Sequence, residues 1–114
     1  MPEQLRLTPG RTIYMGEPGT RFGSKKEPAA LCTVESVVAG CGIDGEHQRI
    51  TFRPDPAYGC DAGLVWFTTR APPLTVGETV RVTGTVDYHQ RNGKTGAPET
   101  LLSRCKIEKV VSTT

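Results

Sequence analysis

The chain has 114 residues, enough for one domain with a modest core and too few for two. Thirteen glycines and nine prolines favour short strands and turns over long helices. A net charge of +2 does not by itself announce a polyanion partner.

The charge is unevenly spread. Residues 1–28 carry five basic and three acidic side chains, residues 29–78 three and six, and residues 79–114 six and three. The closing part of the chain is therefore the basic part. No apolar run is long enough to span a membrane, and no basic segment leads into an apolar one, so a cytoplasmic protein with reduced cysteines is expected.

In chain order, residues 1–28 contain Pro2, Pro9, Gly10, Gly16, Pro18, Gly19, Gly23 and Pro28, which exclude a long helix and predict an irregular N-terminal arm. Ile13, Tyr14, Met15 and Phe22 are the residues that would pin this arm to the rest of the fold. A barrel domain is expected over residues 29–114. Its first strand spans Ala29–Ala39, with Cys32, Val34 and Val38 on one face and Leu31 and Val37 on the other, which leaves the facing open. The second, His47–Arg53, alternates Ile50 and Phe52 against Arg49, Thr51 and Arg53. The third, Leu64–Thr69, is apolar on both faces, so either Trp66 or Phe67 looks outward.

The fourth strand, Thr79–His89, alternates Val80, Val82 and Val86 with polar residues and carries Gly84 at its middle, the kind of position where a small barrel bends or bulges to close. Asn92-Gly93 predicts a type I′ turn, in which both residues take positive φ. The fifth strand runs from about Thr100 to Val110. Five strands without a helix predict an all-β fold, a five-stranded OB-fold barrel, with an SH3-like barrel as the competing arrangement.

The segments Tyr14–Arg21, Leu64–Phe67, Gly77–Val86 and Leu102–Ile107 together resemble small OB-fold nucleic-acid-binding domains of the phage and plasmid single-stranded-DNA-binding type. The resemblance implies binding of single-stranded DNA or RNA, DNA being the expected form, in replication or recombination. The tip Gln90–Glu99 departs from it, being longer than a compact aromatic tip.

A single-strand site needs positive charge beside flat side chains on which bases stack. The pattern offers Arg49 and Arg53 on the second strand, Arg81 on the fourth, Tyr88, His89, Arg91 and Lys94 at the hairpin end, and Arg104 and Lys106 on the fifth. Trp66 is either a stacking platform or core. Tyr88 is either exposed at the rim or a cap over the core.

Other chemistry is poorly supported. Cys32, Cys41, Cys60 and Cys105 lack the C-x-x-C pairing of a zinc site, and no cofactor or metal is expected; Cys41 and Cys60 are the pair with loop settings that allow approach. Gly93-Lys94-Thr95 lacks the preceding glycine and following helix of a phosphate loop. His47 and His89 have no serine and acid at recognised spacing, so no enzyme is expected. A rival reading is an adaptor or inhibitor that grips a replication or host protein through the same barrel surface.

Overall fold

The computed structural model describes residues 13–43 and 45–110. Six strands form one sheet: β1 (Arg21–Phe22), β2 (Ala30–Cys41), β3 (His47–Pro54), β4 (Gly63–Thr68), β5 (Thr79–Arg91) and β6 (Pro98–Lys109), with a single 3-10 turn at Pro56–Tyr58. The order is β1-β5-β2-β3-β4-β6, and the β5–β6 pairing closes the sheet on itself. All pairings are antiparallel except β4–β6. This is a closed five-stranded, OB-fold-like barrel of β2 to β6 with one added strand, and no described residue is in an α-helix.

Alternation fills the barrel. Cys32 and Val34 of β2, Ile50 and Phe52 of β3, Leu64 of β4, Val80, Val82 and Val86 of β5 and Leu102 of β6 are all buried. Every second residue faces inward, as the pleat dictates. The strands fall within two residues of their predicted ends. The arm holds more order than expected: β1 pairs Arg21 with Thr85 and Phe22 with Gly84, and Met15 and Phe22 are buried in the core. Residues 1–12 of the predicted arm lie outside the described residues.

Bulges decide the facing that alternation left open. On β2 the register steps from Val34↔Phe52 to Ser36↔Thr51, so β2 has one extra residue at Glu35. Beyond it the faces exchange: Val37 packs on the core and Val38 is exposed. A second shift between Thr83 and Thr85 places the extra residue on β6, where Arg104 is the one described non-glycine residue with positive φ, 54°. Gly84 sits opposite this bulge, and a Cβ there would stand 2.9 Å from the Cys105 Sγ. The glycine thus admits the neighbouring strand.

The tip differs from the expected type I′ turn. Neither Asn92 nor Gly93 has positive φ; Gly96 does, at 74°. The Asn92 carbonyl accepts from the Gly96 N–H at 2.8 Å, and its side-chain Oδ1 accepts from the N–H groups of Lys94 and Thr95 at 2.8 and 3.1 Å. Asn92 therefore organises a longer loop through its side chain rather than through its own φ. Asn92 thus makes a turn, but not the type I′ turn that Asn92-Gly93 predicts.

Cys41 and Cys60 do not approach one another. They flank opposite ends of β3, whose seven steps span roughly 23 Å. Cys60 instead packs on the core near Cys32. Burial pushes the Cys32 and Cys105 thiols up to about 12, which keeps both protonated at neutral pH.

Gly84→Ala is expected to lower stability by about 1–3 kcal/mol, because the strands must shift or Cys105 must move. Urea denaturation measures this; an unchanged midpoint would show that the close approach at Gly84 is not required.

Candidate nucleic-acid interface

Strand parity sorts the candidate side chains into those that face outward and those that do not. The register Ile50↔Trp66 and Trp66↔Leu102 puts Trp66 on the inward face, where it packs against the core. Trp66 is therefore corrected from candidate platform to core residue. Its neighbour Phe67 takes the outward position, opposite Arg49, and is 41% exposed. The doubly apolar pattern of Leu64–Phe67 signalled that one aromatic had to face out; only the register says which.

His89 is likewise turned away from the outer face. Its ring stacks on Tyr14 of the arm, with centroids 4.5 Å apart and planes 16° apart. Its Nδ1 lies 3.1 Å from the Thr100 Oγ1, which also accepts from the Met15 N–H at 3.2 Å. His89 therefore holds the arm rather than a ligand. Tyr88 faces outward opposite Leu101 and is 49% exposed, so it does not cap the core.

Two of the arginines share the outer face of β3. Arg49 reaches across β4 to form an ion pair with Glu99 on β6, and its Nη1 donates to the Thr51 Oγ1 at 3.3 Å. Its guanidinium carbon lies 5.8 Å from the centroid of the Phe67 ring, within cation–π range. Arg53 is exposed and ion-paired with Glu35 of β2. At the tip, Arg91 donates to the Gly96 carbonyl at 3.0 Å, and Lys94 is exposed.

Arg81, Arg104 and Lys106 do not join this group. Arg81 pairs across to Leu31 and Glu108, and Lys106 to Thr83, on the wall where β5 meets β2 and β6. From Arg81 to Tyr88 is seven strand steps, roughly 23 Å along β5. Arg21 belongs with them: it donates to the Thr85 Oγ1 at 2.8 Å and to the Arg104 carbonyl at 3.4 Å.

Glu99 organises the outer face and was not anticipated either. It is only 5% exposed, yet its carboxylate accepts from Arg49, from the Gln90 Nε2 at 3.0 Å and from the Asn92 Nδ2 at 3.2 Å. Burial alone raises its carboxyl pKa. The three hydrogen bonds and the Arg49 charge outweigh burial, and the group titrates below the usual glutamate range. Beside it a groove of about 430 Å³ opens over Gly63, between Arg53, Asp61 and Pro98. Gly63 faces outward and has no side chain to fill this space; a Cβ would meet the Thr51 methyl at 3.2 Å. Three of the groove's lining residues, Glu35, Asp61 and Glu99, are acidic, so this end of the face is not a simple basic cleft.

Among the described residues no cluster of three or more His, Cys, Asp or Glu side chains is arranged to hold a metal ion, and no helix is long and apolar enough to cross a membrane. Comparison of the chain with protein-family models, with curated proteins and with solved structures finds no match.

Because Glu99 titrates lower in the folded than in the unfolded chain, its contribution to stability is full above the ordinary carboxylate pKa and disappears as pH falls through the lower folded value. Glu99→Gln is expected to destabilise by about 2 kcal/mol at neutral pH. The gap should narrow below about pH 4. Thermal melts of both proteins across pH test this, and a gap independent of pH would contradict it.

Proposed function

We propose that this chain binds single-stranded nucleic acid, DNA in the expected case, across the outer face of β3, β4, β6 and the end of β5. The observation that carries the reading is the shared outward orientation of Phe67, Arg49 and Tyr88. Flat aromatic side chains beside an arginine form a surface on which successive bases can stack, a mode that tolerates any sequence because every base has a π-face. Arg53, Arg91 and Lys94 stand at the rim of this surface and supply charge for phosphates. The reading is supported by the strands involved, since OB-folds engage oligonucleotides on the face of their second and third strands. A role in phage or plasmid replication or recombination rests on the resemblance of the segments quoted above.

Three rim cations imply a salt slope near −2, at about 0.7 per phosphate contact for single strands. Fluorescence anisotropy of a labelled oligothymidylate titrated at several salt concentrations measures it. Reversing Arg91 and Lys94 together is expected to weaken binding and to bring the slope towards −0.7. Absence of wild-type binding at low salt would overturn the reading.

A second reading, an adaptor or inhibitor of a replication or host protein, draws on different residues of the same face. Val38 is exposed opposite Arg49 on β2, Ile43 projects from the β2–β3 loop, and the groove carries three acidic side chains. Such a mixture of apolar and acidic surface suits a protein partner better than a phosphate backbone. Affinity for one defined protein, together with none for oligonucleotides, would favour it.

A further inference from the structure

Arg49 is held in a way that competes with phosphate binding, because its charge is already paired and both of its terminal nitrogens are engaged. A guanidinium makes hydrogen bonds only in its plane, through the edges of its three nitrogens. Here one terminal nitrogen is held by the Glu99 carboxylate and the other by the Thr51 hydroxyl. Its positive charge is matched by a carboxylate that is almost wholly buried and that Gln90 and Asn92 fix in place. Withdrawing Arg49 to meet a phosphate would leave Glu99 buried without its counter-charge, which is costly. The face of the plane turned away from Phe67 remains. The guanidinium stands over the Phe67 ring, and its side chain keeps about a fifth of its surface exposed, 22%.

Resting on the single-strand reading above, we infer that Arg49 and Phe67 form one composite stacking platform for a nucleobase, with Arg49 acting through its plane and not through its charge. Glu99 is the positioning residue: it holds the guanidinium by its edge and neutralises it. The hydrogen bond from Asn92 to the same carboxylate ties the hairpin tip to this platform. The three rim cations then carry the phosphate contacts, and the interface divides its labour by position. Charge acts at the rim, and stacking acts at the centre.

The test compares wild type, Arg49→Lys and Phe67→Leu, with an oligothymidylate and with an abasic strand of the same length and charge. Lysine keeps the charge but has no plane. Each variant is expected to bind the oligothymidylate about tenfold more weakly, as loss of one stacked base implies, with the salt slope unchanged. On the abasic strand all three proteins are expected to bind equally. Wild-type affinity in either folded variant, or an equal loss on both strands, overturns the platform. Trp66 emission and thermal melts establish folding, and if Arg49→Lys does not fold, the exposed Phe67→Leu decides alone. Absence of wild-type binding to both strands would instead overturn the single-strand reading itself.

Discussion

A buried carboxylate, Glu99, is the constraint on which the outer face of this barrel depends. It lies at the start of β6, in the one parallel pairing among the described residues, opposite Gly63. A charge taken out of water must be matched where it sits. Glu99 recruits Arg49 from β3, Gln90 from β5 and Asn92 from the tip. Strand β3 and the hairpin of β5, tip and β6 are thereby held in one arrangement. The same contacts leave Arg49 over Phe67, so the shape of the face and its electrostatics have one origin.

Closure of the barrel provides the other half of the account. Five strands curl into a closed sheet only where extra residues and missing side chains permit bending. The bulge at Glu35 turns Val38 outward, and the bulge at Arg104 is accommodated by Gly84. Tyr14, Met15 and Phe22 then tie the arm to the barrel through the core and through His89 and Thr100. The arm consequently consumes a histidine that its neighbours in sequence would assign to the binding surface.

Much of the fold was legible because alternation reports directly on facing. His47–Pro54 and Thr79–Arg91 read cleanly, since Ile50, Phe52, Val80, Val82 and Val86 recur every second residue. What stayed hidden depends on register, which no single segment contains. Trp66 and Phe67 are interchangeable until Ile50 is known to face one of them. Glu99 reads as an ordinary surface glutamate until β4 and β6 are paired. The alternation of β3 puts Arg49 and Arg53 outside the barrel, but their carboxylate partners come from other strands. The basic character of the final third was real as composition, yet it is divided between two walls, with Arg91 and Lys94 on one and Arg81, Arg104 and Lys106 on the other.

The central claim is that ligand engages the wall bearing Phe67, Arg49 and Tyr88 rather than the wall bearing Arg21, Arg81 and Lys106. Nuclear magnetic resonance separates the two in one titration. Adding a short single-stranded oligonucleotide to isotope-labelled protein is predicted to shift the ring signals of Phe67 and Tyr88 and the side-chain Nε–H of Arg49, while signals from Arg81, Thr83 and Lys106 stay in place. Shifts confined to the latter wall, with Phe67 and Tyr88 unmoved, would contradict the account.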